Sequence, residues 1–336
     1  MALRAAINGF GRIGRLALRA VIEHERWDEV EIVAINDSAT PETNAHLLKY
    51  DSVHGRLPRE IETGPDWIDA GFGKIQKVSN RDPSQLPWSD LGVDLILECT
   101  GKFNSKEAAS AHLSSGAKRV LCSAPAKNAD RTVVYGVNHA DLTAGDVIVS
   151  NASCTTNGLA PVAKALNDAV GVARGHMTTI HAYTGDQPTL DRNHKDLHRA
   201  RGAALSMVPT TTGAAKAVGE VLPELKGKLD GAAVRVPTAN VSLIDLVFTP
   251  SRPTDAEEVN AAIRAAADGP MKGVLGYDSI PLVSVDYNHD PRSSIAAIDK
   301  TKVIDGELVR VMAWYDNEWG FACRMIDTAK EMGRFL

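Results

Sequence analysis

Cys154 sits in "NASCTTN", residues 151–157, a thiol among small polar side chains rather than the Val, Leu and Ile that surround a packing cysteine. An apolar run, 147–149, precedes it and a helix-like segment follows. A strand that delivers a cysteine to the first turn of a helix favours its thiolate, because helix N-termini attract negative charge. Such a nucleophile needs a base. His181, at the end of the β-like run in "TTIHAYTGDQ", supplies the residue type, and Cys with His is a recognised nucleophile–base combination.

A second constellation opens the chain. "INGFGRIG" places Gly9, Gly11 and Gly14 in the spacing G-x-G-x-x-G, directly after an apolar strand and at the start of a helical pattern. The glycines allow a tight turn, close approach of backbone to a pyrophosphate, and tight helix–strand packing. The phosphates then meet the N–H groups and positive end of the helix. Asp37 falls about 20 residues further on, at the end of the second strand, where a carboxylate binds ribose hydroxyls and disfavours a 2′-phosphate, so NAD is expected over NADP. Ser38, next to it, is a small hydroxyl that could instead welcome that phosphate.

The elements that must position these groups fall into two styles. Strands are predicted at 3–7, 31–35, 94–97, 119–122 and 146–149, rich in Val, Ile, Leu and Ala without clean alternation, as in a parallel sheet covered on both faces. Helical spacing such as Ile13, Leu16, Ala17, Ala20 and Val21 supplies crossovers. The pattern is doubly wound α/β. Further on, long β-like runs are predicted at 176–182, 232–248 and 308–314, the last after an Asp305-Gly306 turn that predicts a hairpin. Helices are predicted at 155–169, 256–267 and 318–332. The segment 186–208 is charged, aperiodic and too long for a connector, which marks it as functional. The expected organisation is an α/β nucleotide-binding domain, 1–152 with 317–336 packed back on it, and an α+β mixed-sheet catalytic domain, 153–316.

Composition bounds the partners. At 336 residues the chain should hold about two domains by the rough prior of ~150 residues each. A net charge of −5 argues against a dedicated nucleic-acid or anionic-membrane binder. The cysteines, Cys99, Cys122, Cys154 and Cys323, show no CxxC spacing and no framework, so a reducing compartment and no metal centre are expected. No apolar run approaches the ~18 residues of a spanning helix. The amino end reaches Asn8-Gly9 before a signal-like apolar core forms, so a cytoplasmic location is expected.

The stretches "INGFGRIGR", "LLKYDSVHGRL", "NASCTTNGLAPVAK", "HAYTGDQ", "TGAAKAVGEVLPELKGKLDG", "VRVPTANVS" and "WYDNEWG" resemble the phosphorylating glyceraldehyde-3-phosphate dehydrogenases, in the same order over essentially the whole chain. The resemblance implies a Rossmann domain that binds NAD, a catalytic domain, and a homotetramer. It implies phosphorylating oxidation of D-glyceraldehyde 3-phosphate to 1,3-bisphosphoglycerate in glycolysis or gluconeogenesis. Cys154 would form a thiohemiacetal and then a thioester, with His181 as its base, and inorganic phosphate would release the acyl group. Thr184 and Arg235 would hold the substrate phosphate. Ser153, Thr155, Thr212, Gly213 and Arg199 would hold the attacking one. Asn317 would orient the nicotinamide, and Arg12, Ile13, Arg81 and Ser123 would join the glycines, Asp37 and Ser38 around the cofactor.

Read without the resemblance, "VRVPT" is a strand with an exposed Arg and "TTTG" a polar loop. The chain also departs from the family pattern. Phe321 stands where many members carry tyrosine, and Ser38 and Asn193 stand where strictly NAD-dependent members carry leucine and proline. Tolerance of NADP beside NAD is therefore expected. Two rivals are the sister enzyme erythrose-4-phosphate dehydrogenase, whose motif after the histidine departs from "AYTGDQ", and a non-enzymatic binding role on the same scaffold. Intact Cys154, His181, Arg199 and Arg235 favour catalysis.

Overall fold

The computed structural model describes residues 2–336. The chain forms two compact units: one runs to Tyr135, takes up His139–Ser153 and closes with Ala322–Leu336, and the other comprises Gly136–Asn138 and Cys154–Phe321. Among the described residues no helix is long and apolar enough to cross a membrane.

The first unit is built on a sheet whose central strands run Ile148–Ser150, Arg119–Cys122, Leu95–Glu98, Leu3–Asn8, Val30–Asn36 and Lys74–Val78, all parallel. Both faces are covered, so Leu95–Glu98 and Arg119–Cys122 are buried at every position. That is why their sequences run apolar without alternating. Leu3–Asn8 pairs with Val30–Asn36 on one side and Leu95–Glu98 on the other. The winding reverses there, and the crevice beyond the carboxyl ends of such strands is where α/β sheets bind ligands. Short strands at Glu62–Thr63 and Trp67–Asp69 extend the edge antiparallel, too short for a periodicity to announce them.

The helix Trp319–Gly333 begins in the second unit and belongs to the first from Ala322 onward. Its later turns are fastened by Asp327 to Arg26, by Lys330 to Glu29, and by Thr328 to the buried Asn151.

The second unit centres on a mixed sheet in the order Val208–Thr211, Leu229–Val236, Val172–Ala182, Ser242–Pro250, Leu308–Tyr315, Ser294–Ala297, Leu275–Asp278. The expected run 232–248 is two strands, Leu229–Val236 and Ser242–Pro250, lying on opposite sides of Val172–Ala182. Pro237 has no amide for a ladder, and Val241 turns the chain with φ 68, an unusual conformation for a β-branched residue. The expected hairpin is present, Lys302–Ile304 against Leu308–Tyr315, with Asp305 and Gly306 both at positive φ. A helix at Ala214–Val221 was not predicted, because Gly219 and the valines give it poor propensity. Gly219 packs against the backbone of Lys226, where a Cβ would come within 2.8 Å, so tertiary fit holds the helix.

Candidate active site

In the first unit a cleft of about 960 Å³ opens at the carboxyl ends of the strands, lined by Gly9, Gly11, Asp37, Ser38, Arg81 and Thr100 among others. Gly9 has φ +93, and a Cβ there would lie 2.8 Å from the Thr100 amide. A Cβ on Gly14 would lie 2.2 Å from the Gly9 carbonyl oxygen, so the helix Arg12–Glu23 packs directly on the turn. A Cβ on Gly11 would meet nothing within 4 Å. Gly11 caps that helix and lines the cleft, so its bare backbone faces the space that a pyrophosphate needs. Asp37 is held by its Oδ2, which accepts from the Phe10 amide at 3.2 Å, and its Oδ1, which accepts from the Ala39 amide at 2.8 Å. Each oxygen keeps capacity for a ribose hydroxyl. These residues fit NAD.

Three other expected cofactor residues, Arg12, Ile13 and Ser123, are outside the lining of this cleft. The Arg12 guanidinium pairs with Asp51. Burial pushes the Asp51 carboxyl up, but the His54 amide, Arg12 and the Val53 amide together hold it at about 2. Ser123 is also absent from the cleft wall, and its amide donates to the Glu98 carbonyl.

The helix Cys154–Val170, which opens the second unit's main segment, follows Ala152, a buried residue at φ 56. Such a residue costs about 1–3 kcal/mol and persists where its surroundings over-determine it. Cys154 is the first helical residue, and its Sγ lies 3.5 Å from His181 Nε2. His181 Nδ1 donates to the Ala182 carbonyl at 2.6 Å, which leaves Nε2 bare toward the sulfur. The Tyr315 ring stands edge-on to His181, and its hydroxyl bonds Thr155 at 3.0 Å and Thr179 at 2.8 Å. Gly158 makes room for that ring, since a Cβ would come within 2.9 Å of Tyr315 Cγ. Ser242 accepts from the Ala182 amide at 3.0 Å and donates to Asn317 Oδ1 at 2.7 Å, which fixes the Asn317 amide.

Burial is the largest influence on the ionisation of both groups. Burial pushes the Cys154 thiol up, against the opposing pull of Arg235, Thr155 and the helix-end amides. Burial, then Arg235, push the His181 imidazole down to about 3. Neither group ionises readily alone. A proton passed from Sγ to Nε2 creates both charges together at 3.5 Å, each offsetting the other's burial, with Arg235 and the Thr155 donors on the negative side. Sγ and Nε2 are thus placed to share that proton.

Two guanidinium groups complete the surroundings. Arg235 Nη1 donates to Thr184 Oγ1 and to the Ala182 carbonyl, each at 3.2 Å. Its buried Nε has no partner among the described residues. Burial and then the Arg199 charge lower its pKa, so the two cations are close enough to repel, an arrangement that an anion relieves. Arg199 is aimed by Thr210, Asp186 and the Thr211 carbonyl. Gly213 caps the helix Ala214–Val221, and Thr212 Oγ1 accepts from the Ala214 amide. The Thr155 hydroxyl bonds Tyr315 and reaches the sulfur, and its backbone stands in the first turn of the helix. Tyr315, Thr179, Ser242 and Asp186 were missed by the sequence reading. All four lie inside the quoted "WYDNEWG", "TTIHAYTGDQ" and "VRVPTANVS", but spacing alone gave them no role.

Two family descriptions match the chain: the NAD binding domain of glyceraldehyde 3-phosphate dehydrogenase over residues 3–106, and its C-terminal domain over 153–317. The chain belongs to the glyceraldehyde-3-phosphate dehydrogenase family. It is 65% identical over 336 residues to a glyceraldehyde-3-phosphate dehydrogenase of Cereibacter sphaeroides, covering 100% of each. It is 63% identical over 334 residues to one from Xanthobacter flavus, covering 99% of each. A Zymomonas mobilis relative of the same name is 58% identical over 340 residues, with 100% of each covered. The chain is therefore an NAD-dependent oxidoreductase with the glycolytic activity of that family.

Proposed function

We propose that the chain oxidises D-glyceraldehyde 3-phosphate to 1,3-bisphosphoglycerate through a thioester on Cys154. Support comes above all from the approach of Cys154 Sγ to the bare Nε2 of His181 beside two guanidinium groups. His181 takes the thiol proton as sulfur attacks the aldehyde carbon and returns it to the carbonyl oxygen, giving a thiohemiacetal and a neutral imidazole. It then takes the hydroxyl proton of that adduct. NAD, when bound, supplies the hydride acceptor that turns the thiohemiacetal into the thioester. Arg235 with Thr184 holds the substrate's terminal phosphate, and Arg199 with Ser153, Thr155, Thr212 and Gly213 holds the inorganic phosphate that attacks the thioester. Asn317, oriented by Ser242, positions the carboxamide of the cofactor. The domains carrying these roles are 1–152 with 317–336 for the cofactor and 153–316 for catalysis. The deciding assay follows nucleotide reduction with and without phosphate: sustained turnover should require both aldehyde and phosphate. Sustained turnover without phosphate would overturn the phosphorolytic step.

NAD is the better cofactor in this reading, with measurable use of NADP. Asp37 opposes a 2′-phosphate carrying about −1.5 to −2 charge, a repulsion of roughly 1–3 kcal/mol at a partly exposed site. Ser38 and Arg81 line the same cleft and offer donors. Asn193, brought from a neighbouring copy, adds an amide where proline would offer none. Donors at about 1 kcal/mol each offset much of the repulsion. The Ser38→Leu, Asn193→Pro double variant should therefore lower kcat/KM for NADP selectively. An unchanged NAD/NADP ratio would show that these positions do not set the choice.

The reading includes a cytoplasmic homotetramer. Leu190, Leu197, Leu205 and Met207 in the 186–208 loop, and Ile280, Val283 and Val285 in another, are all more than half exposed. Clustered exposed apolar side chains of this size mark association surfaces. Light scattering at micromolar concentration should give about four times the chain mass of 35.9 kDa, and a monomer would refute the assembly.

A further inference from the structure

Glu98 ends the strand Leu95–Glu98, is buried, and takes no part in the chemistry above. Its carboxylate accepts on both oxygens. Oε1 receives the Thr100 amide at 2.8 Å and the Thr100 hydroxyl, while Oε2 receives Asn8 Nδ2 and, at 3.0 Å, His112 Nε2. These donors fill the roughly four lone-pair sites of an ionised carboxylate. His112 has its tautomer set from behind, because Trp88 Nε1 donates to its Nδ1 at 3.0 Å and leaves the proton on Nε2.

The carboxylate also gives direction to a chain of amides. With Asn8 Nδ2 committed to Glu98, Asn8 Oδ1 accepts from Asn36 Nδ2 at 2.7 Å. Asn36 Oδ1 in turn accepts from the Asn80 amide at 2.9 Å. Asn8, Asn36, Asn80 and Thr100 end or follow separate strands, and all line the cleft. Gly9 packs on Thr100 so closely that a Cβ would touch its backbone. One acceptor-only group thus sets the glycine turn, the loop before Asp37 and the Thr100 turn in register.

We propose that Glu98, backed by His112 and Trp88, is a positioning residue for the cofactor: it holds these three loop ends in the arrangement that receives the adenosine and pyrophosphate half of the dinucleotide. The proposal rests on the cleft being the NAD site. Glutamine at this position keeps the size but brings an NH2 group. That group must face either the Thr100 amide or the donors of Asn8 and His112. If Asn8 turns to relieve the conflict, its NH2 meets that of Asn36, and the mismatch passes on to Asn80.

The test is steady-state kinetics of the full chain with NAD as the varied substrate. Glu98→Gln should raise KM for NAD about 10-fold or more, the scale of one buried unsatisfied donor, with kcat within about 3-fold of the parent. The alkylation rate of Cys154 should be unchanged. Trp88→Phe, which removes the donor behind His112 along with part of a buried ring, should raise KM about 3-fold. A folded Glu98→Gln variant with the parental KM overturns the proposal. If that variant does not fold, a parental KM in Trp88→Phe does so. Loss of kcat in step with KM, or slowed Cys154 alkylation, marks general damage and also counts against it. A parent enzyme that does not saturate with NAD removes the cleft reading itself, a result visible before any variant is made.

Discussion

Cys154→Ser abolishes aldehyde oxidation and leaves NAD binding nearly intact. Serine keeps the size, but its hydroxyl is far harder to ionise, and its acyl ester lacks the reactivity that lets phosphate capture a thioester. NAD binding survives because every residue lining the cofactor cleft belongs to the unit that excludes Cys154. His181→Asn lowers kcat by about 10²–10⁴-fold, the usual scale for a positioned acid–base group. It also moves Cys154 alkylation to higher pH: burial still opposes the lone thiolate, and Nε2 no longer takes the proton. In the parent, Cys154 should outpace Cys122 and Cys323. Both are buried, and burial followed by the Glu98 charge pushes the Cys122 thiol up to about 12. If native Cys154 is alkylated no faster than these two, the proton-sharing account fails.

The thiol and its base were legible because each stands at the end of a regular element with unusual neighbours. Cys154 opens a helix behind a short apolar strand, and His181 comes one residue before the end of the strand Val172–Ala182. The glycine turn was legible for a similar reason, since its spacing is dictated by steric limits that the sequence must satisfy locally. What stayed hidden depends on contacts between distant segments. Thr155 and Thr179 meet only at the Tyr315 hydroxyl, and Ser242 joins the His181 strand to Asn317 through one oxygen. No periodicity marks such a residue. Glu98 lies in "LILECTG", where its neighbours read as one more apolar strand. The helix Ala214–Val221 and the strands at the edge of the first sheet were missed for the converse reason: packing selects them against weak local preference.

Gly11→Ala and Gly14→Ala separate two demands that a shared motif combines. At Gly11 a new methyl meets no protein atom within 4 Å, and the backbone, at φ −74, suits alanine. The fold should lose only about 0.5–1 kcal/mol, the scale of a weaker helix cap. The methyl instead occupies the approach of a pyrophosphate to the helix amides. Losing one or two charge-assisted hydrogen bonds at about 1.5–3 kcal/mol each lowers NAD affinity by roughly 10–10³-fold or more. At Gly14 the methyl would sit 2.2 Å from the Gly9 carbonyl oxygen and 3.0 Å from Ile7 Cγ2, so helix and strand must move apart. Overpacking of this kind costs about 1–3 kcal/mol and disturbs the glycine turn as well. Thermal melts of the free proteins and NAD titrations of the same samples distinguish the two. Gly11→Ala should melt near the parent and bind NAD poorly, while Gly14→Ala should melt lower and also bind poorly. Parental NAD affinity in Gly11→Ala would mean that the pyrophosphate does not lie against this turn.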